Sequence, residues 1–172
     1  MSGHEEFAAF VAARGTALLR VAHLTCGSRD EAEDVLQSAL EKAYRNWGRL
    51  RAGSDPEPYV RRIIVNTAIS RARRRAILHI FPAPTLPETP AAGDLTGVEL
   101  RPVLMDGLRR LPPRQRAVLV LRFWEDMTEA QTAETLGCSV GTVKSQAAKG
   151  LARLRALIGA EIFTEVIRHA EA

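Results

Sequence analysis

Apolar residues recur at helical spacing along most of the chain. The first such stretch begins at Phe7 and stops before Gly27, a residue type that favours the end of a helix. The pattern is clearest within residues 30–47, where steps of three and one alternate between Ala32, Val35, Leu36, Ala39, Leu40, Ala43, Tyr44 and Trp47. A helix with this spacing has one apolar and one polar face. The pattern therefore predicts two amphipathic helices before residue 48.

A third helix is predicted after a loop rich in turn-forming residues, GRLRAGSDPEP at 48–58. Asp55 and Pro56 suit its start, because aspartate caps free amides and proline fits the first helical turn. Its inward stripe consists of Tyr59, Val60, Ile63, Ile64, Ala68 and Ala72. Its outward face then carries Arg62, Asn66, Ser70, Arg73 and Arg74. Arginines there suit phosphates, and Asn66 suits a base edge.

Residues 81–97 differ in character. They hold four of the nine prolines and two acids, lack Lys and Arg, and show no helical periodicity. A stretch of this length and composition is typical of a linker and uncommon inside a compact domain. The expected fold is all-α, with two small helical domains joined by a proline-rich linker: 1–75, linker 76–98, 99–160 and a short tail 161–172. A loop packed over a single domain is the alternative.

The C-terminal part of the chain predicts helices over 98–111 and 113–124, followed by a helix-turn-helix. Thr128 and Gln131 have the spacing of a capping box, and Gly137 suits a left-handed helix end. A turn at 138–140 would lead into a second helix that buries Val143, Ala147, Leu151, Leu154 and Ile158. The second helix of such a motif enters the major groove of DNA.

The exposed side of that second helix carries small, polar and basic residues: Gly141, Thr142, Lys144, Ser145, Gln146, Lys149 and Arg153. Small residues allow close approach to DNA. Lys144, Lys149 and Arg153 are expected to reach phosphates, and Ser145 or Gln146 to address bases. The competing interpretation is a helical hairpin with a solvated basic face. The capping box, the glycine turn and the lack of acids in the second helix favour DNA binding.

Charge is clustered rather than large overall. The net charge is +4, yet residues 60–75 carry six arginines and no acid. Such runs bind polyanions in a salt-dependent manner. By itself the RARRR run at 71–75 also suits RNA, an acidic protein or a membrane surface.

Other classes of function find little support in the sequence. The four histidines are scattered, and no catalytic grouping, metal cluster or phosphate-binding glycine loop is present, so neither an enzyme nor a cofactor is expected. Cys26 and Cys138 are far apart and fit reduced thiols better than a disulfide. No signal peptide or membrane-spanning run is recognised, and a soluble cytoplasmic protein without membrane insertion is expected.

Three segments in this order resemble the minimal two-domain bacterial extracytoplasmic-function (ECF) sigma factors, of the sigma-70 family. They are DEAEDVLQSALEKAYRNW at 30–47, PEPYVRRIIVNTAISRARRR at 56–75 and the segment from Leu108 to Arg155. The resemblance covers roughly residues 7–158. It implies no enzymatic activity, but a factor that binds core RNA polymerase and directs initiation at promoters with −35 and −10 elements.

The resemblance also assigns roles to residues. It implies that Asp34, Gln37 and Glu41 contact the polymerase clamp, and that the second domain packs against the polymerase flap. The loop 48–55 would hold a flipped −10 base, and Arg49, Arg51, Arg61 and Arg62 would hold the melted strand. Trp47 suits either core packing or base stacking, with packing favoured by its place on the apolar stripe. An inhibitory anti-sigma factor is a common partner in this family.

This chain departs from many relatives at Gln146 and Lys149, where they carry Arg, and at Ser70, where they carry Asp. The promoter sequence therefore does not transfer. A stand-alone helix-turn-helix regulator that binds operator DNA is the main alternative, but it leaves the 30–47 helix and the arginine face unexplained. A protein-binding adaptor would leave both basic faces unused.

Overall fold

A computed structural model of the chain describes residues 2–53, 55–78 and 97–170, apart from the side chains of 97–99. The described residues form α-helices and turns, which confirms the all-α expectation. The N-terminal half consists of α1 (Gly3–Cys26), α2 (Arg29–Arg45), α3 (Trp47–Gly53) and α4 (Glu57–Ile77). The C-terminal half consists of α5 (Gly97–Arg110), α6 (Pro113–Leu119), α7 (Glu129–Leu136), α8 (Val140–Ile158) and α9 (Ala160–Ala170), with a π-helical turn at Val120–Trp124.

Local sequence explains most helix ends. Gly27 ends α1 in the left-handed conformation at φ 79°, and Ser28 then caps α2 by accepting a hydrogen bond from the Glu31 amide. The predicted capping box at Thr128 and the left-handed Gly137 are confirmed. The turn of the helix-turn-helix lies one residue earlier than expected, because Ser139 caps α8 through the Thr142 amide.

Several elements differ from the sequence prediction. Residues 47–53, expected to be mostly loop, form the short helix α3, which packs on α1 and α2. The expected helix 113–124 changes from α6 into the π-helical turn at Val120, and the tail forms α9. Arginine-rich α4 continues to Ile77, and the central part of the proposed linker, 79–96, lies outside the described residues.

Helix α1 has the length and apolar character of a bilayer-spanning helix, which the sequence analysis did not expect. Leu18, Val21 and Ala22 on this helix are buried, and α1 packs against α2 and α4. The C-terminal part of α1 therefore belongs to the core, whereas residues 2–17 are exposed or half-buried.

The two halves pack against each other in the described structure. One cluster of buried residues includes Val60 and Ile64 of α4 together with Val118, Leu121 and Leu136 from the C-terminal half. A second cluster, around Leu108, Leu119 and Leu154, fills the C-terminal half and reaches Leu24 of α1.

The thiols of Cys26 and Cys138 should react very differently with iodoacetamide at about pH 8, because the thiolate is the reactive form. Cys26 is buried, and its burial raises its pKa to about 12, so only about one molecule in ten thousand carries the thiolate at that pH. Cys138 is partly exposed. Peptide mass mapping should find the adduct on Cys138 alone, with Cys26 modified only after urea is added. Equal native labelling of both thiols would contradict the buried setting of Cys26.

Candidate polymerase and nucleic-acid interfaces

The polar side of α2 exposes all three residues assigned to polymerase binding: Asp34, Gln37 and Glu41. Gln37 and Glu41 line an open groove of about 510 Å³ between α1 and α2, whose other lining residues include Phe7, Leu36 and Tyr44. Asp34 lies instead beside a mixed-charge depression that also contains Arg71 and Arg74. The three predicted contacts therefore flank two adjoining surfaces of the N-terminal half.

The predicted apolar stripe of α2 faces the core only in part. Ala32, Val35, Ala39 and Ala43 are buried, whereas Leu36 and Leu40 are half-buried and Tyr44 is 49% exposed. A stripe at i, i+3 and i+4 is two residues wide. Its alanine-rich edge is fully buried, whereas Leu36 and Leu40 on the other edge pack against the core only in part. Its other edge, made of large side chains, forms the groove wall.

Trp47 is a core residue. Its side chain is 6% exposed, and its ring packs edge-on against Phe7, with a centroid distance of 5.1 Å, and at a tilt against Phe10, at 5.3 Å. This placement matches core packing, the reading favoured from the sequence, and leaves no ring face open for a base.

The outward face of α4 is called the α4 basic face and consists of Arg62, Asn66, Ser70, Arg73 and Arg74. Four of these residues are exposed and Asn66 is half-buried, as the stripe predicted. Two of them already have partners: the Arg62 Nη2 donates to the Glu134 carbonyl at 3.2 Å, and the Asn66 Nδ2 donates to the Thr135 carbonyl at 3.0 Å.

The remaining candidates for the −10 element differ in availability. Arg49 is exposed at the surface of α3. Arg51 is paired with Glu6. Arg61 is only 16% exposed, because its guanidinium lies 2.6 Å from Glu57 and 3.5 Å from Glu125. Arg61 is therefore largely engaged in ion pairs, although it lines the same open cavity as Arg62.

Helix α8 presents its candidate residues together on one side. Gly141, Lys144, Ser145, Lys149 and Arg153 are exposed, and Thr142 and Gln146 are half-buried. The Thr142 hydroxyl lies 2.9 Å from that of Ser139, so this residue also shapes the helix start. The opposite face packs in the core through Val143 and Leu154. This arrangement fits insertion of a helix N-terminus into a groove of DNA.

Comparison with known proteins finds a family match for each half of the chain. Residues 10–77 match the Sigma-70 region 2 family model, and residues 103–154 match the Sigma-70 region 4 model. The chain is 40% identical over 150 residues to the RNA polymerase sigma-E factor of Streptomyces coelicolor, an alignment that covers 87% of this chain and 84% of that protein. It is also 37% identical over 142 residues to the ECF RNA polymerase sigma factor SigM of Mycobacterium tuberculosis, covering 83% and 71%.

The chain belongs to the ECF sigma factors of the sigma-70 family.

Two solved structures share the fold. The chain resembles the sigma factor RpoE of Bartonella quintana, crystallised with the anti-sigma factor NepR, with a TM-score of 0.69 and 23% identity over 90% of this chain and 97% of that one. It resembles CnrH, solved in complex with the cytosolic domain of CnrY, with a TM-score of 0.63 and 23% identity over 90% and 88%. The stand-alone regulator is not favoured by these relatives.

Sequence reasoning missed the residues that join the two halves of this ECF sigma factor. Arg116 is buried, and its guanidinium donates to four carbonyls: Thr25 at 3.0 Å, Cys26 at 3.3 Å, Arg109 at 3.0 Å and Leu111 at 3.2 Å. Glu125, with its side chain 8% exposed, lies between Arg61 and Arg20. Its burial raises the pKa of Glu125, against the opposing effect of these arginines. Hydrophobic periodicity identifies buried apolar residues, so it could not show that the charged side chains of Arg116 and Glu125 are buried.

Proposed function

We propose that this sigma factor mounts on core RNA polymerase through α2, reads the −35 element with α8 and holds the opened −10 strand with the α4 basic face. The observation that carries the proposal is that one chain has three exposed surfaces. Two of them are basic, on α4 and α8, and the third is the polar face of α2. A regulator that binds one operator would use the α8 face alone. Two faces suit two promoter elements.

The chemistry of each face fits its proposed target. Guanidinium groups bind the phosphates of a melted strand, and the exposed start of α8 can approach base edges in the major groove. We also propose a cytoplasmic location beside the polymerase and assign no catalytic step to the chain. An anti-sigma partner is proposed as well, supported by the structural relative RpoE, which was solved with the anti-sigma factor NepR.

The decisive experiment is transcription from a supercoiled promoter library by core polymerase, with and without the protein. New start sites that depend on the protein and share two spaced sequence elements are expected. Tight, sequence-specific binding of duplex DNA by the chain alone, without any dependent start site, would support the operator-binding regulator instead.

Replacing Lys149 with alanine should weaken −35 recognition. The negative slope of log K against log salt concentration should become about one unit less steep, because one phosphate contact is lost. Arg155→Ala is the matched control, since Arg155 is an exposed cation about 120° around the α8 axis from Lys149. Fluorescence anisotropy of the polymerase complex on a −35 duplex at several salt concentrations measures both slopes. Equal slopes for wild type and Lys149→Ala would remove Lys149 from the interface.

A further inference from the structure

A cavity of about 160 Å³ lies where α1, α5, α9 and the π-helical turn meet, and it is called the three-helix cavity. Each of the three helices contributes one apolar and one basic residue to its lining: Leu24 and Arg20 of α1, Leu104 and Arg101 of α5, and Val166 and His169 of α9. The members of each pair are three or four residues apart, so they lie on the same face of their helix. The three helices therefore bring apolar and basic side chains together at one place.

Burial separates the two kinds of residue in the three-helix cavity. Leu24 is 8% exposed and Val166 is 4% exposed, so the apolar side chains lie inward. The basic residues Arg20, Arg101 and His169 are exposed. None of the described residues that line the cavity is acidic. The cavity thus has an apolar interior and a basic rim.

The positive charge of the rim is only partly neutralised. Arg20 pairs with Glu125 at 3.4 Å, but its side chain is 57% exposed, and a guanidinium has five N–H donors. Arg101 is exposed and forms no ion pair with another described residue. His169, by contrast, lies 3.5 Å from the Glu165 carboxylate. The two arginines are therefore the groups with donors left for a ligand.

A neighbouring histidine experiences the same positive charge. His23 lies next to Leu24 on α1, and its pKa is lowered first by burial and then by the charges of Arg101, Arg29 and Arg109. Positive charges near a histidine disfavour its protonated form. An anion bound at the rim would relieve this repulsion, so the electrostatics favour a negatively charged ligand over a neutral or cationic one.

The volume of the cavity sets the size of that ligand. An apolar cavity of about 150 Å³ binds one benzene molecule, and arginines bind carboxylates through charge-assisted, often bidentate, hydrogen bonds. We propose that the three-helix cavity is a binding site for a small aromatic carboxylate, whose ring packs among Leu24, Leu104 and Trp124 and whose carboxylate is bound by Arg101 and Arg20. The site is independent of the proposed function, because none of these residues is assigned to polymerase or DNA.

Benzoate is the probe for this site, and isothermal titration calorimetry of the full chain measures its binding. We expect saturable binding with a dissociation constant of about 1 mM or lower, which is within the range for a ligand of this size. Benzyl alcohol and benzylammonium keep the ring but lack the carboxylate. Both should bind at least about tenfold more weakly than benzoate, because the hydrogen bonds between arginine and carboxylate are lost.

Two variants test the residues of the site. Arg101→Ala should weaken benzoate binding at least about tenfold, because it removes a charge-assisted hydrogen bond. Arg110→Ala is the matched control, since it removes the same charge from an exposed position about 180° around the α5 axis from Arg101. Leu104→Trp fills the cavity and should abolish binding, while circular dichroism establishes that its helices are retained.

Nuclear Overhauser effects to methyl-labelled protein locate the bound ring. They are expected between benzoate and the methyl groups of Leu24 and Leu104, and not at Leu36 in the groove between α1 and α2. Contacts at Leu36 instead, no saturable binding of benzoate, equal binding of the three probes, or equal affinities for Arg101→Ala and Arg110→Ala would overturn the site. Failure of the proposed function would be seen separately, as wild-type protein that supports no start site in the transcription assay.

Discussion

Replacing Asp34 with arginine should reduce capture of core RNA polymerase at least about tenfold, the largest functional effect expected of a single surface substitution in this chain. A like charge facing a complementary interface costs several kcal/mol, and 1.4 kcal/mol already corresponds to a tenfold change in affinity. Asp34 is exposed on α2, so the substitution disturbs no buried contact. The helix should therefore remain folded, while the charge at position 34 of the proposed docking surface changes from negative to positive.

Pull-down of core polymerase by tagged protein measures this effect. Glu161→Arg serves as control, because it reverses an exposed acid on α9, far along the chain from the proposed docking face. Asp34→Arg with normal helicity but lost capture is the expected result. Undiminished capture would show that α2 does not dock through this residue, whatever the promoter assays report.

Leu154→Ala should give the largest loss of stability, about 2–5 kcal/mol, since truncating a buried leucine removes transfer free energy and leaves a cavity. Leu154 is fully buried in the cluster of the C-terminal half. Packing there is close: a Cβ added at Gly107 would lie 2.8 Å from the Leu154 Cδ1 and 2.7 Å from the Ile158 Cγ2. Neighbouring helices in such tight contact cannot easily collapse into a new void.

Urea unfolding followed by circular dichroism measures the change in the free energy of unfolding. Arg155→Ala, at the next position of α8 and exposed, should change it by less than about 0.5 kcal/mol. Similar unfolding midpoints for the two variants would mean that Leu154 does not hold α8 in the core.

Periodicity in the sequence predicted the long helices well because their apolar stripes are continuous. It was less informative where a stripe is wider than the surface that covers it, as in α2, whose outer edge at Leu36 and Tyr44 remains open. The short helix α3 was missed because its glycines and arginines are typical of a turn, although Trp47 at its start is anchored in the core.

The contact between the two halves of the chain was not predicted from the sequence, and the physical reason applies to helical proteins in general. A stripe identifies which side of a helix is buried but not which helix covers it. Arg116 lies in the first turn of the predicted helix 113–124, in a charged PPRQR run that gives no sign of burial. Its charge is nevertheless satisfied by carbonyls distant in sequence. The roles of the individual residues on α2, α4 and α8 in binding remain predictions that the substitutions above test.

The hydrogen bonds from Arg116 to the last carbonyls of α1 have a consequence for chimeras between sigma factors. A hybrid that joins this C-terminal half to the N-terminal half of a relative must still present two backbone oxygens where Thr25 and Cys26 present theirs. Gly27 must also stay small, because an added Cβ would lie 2.4 Å from the Arg109 Cγ. A functional chimera is therefore expected to need the C-terminal end of this protein's α1 transferred together with its C-terminal half.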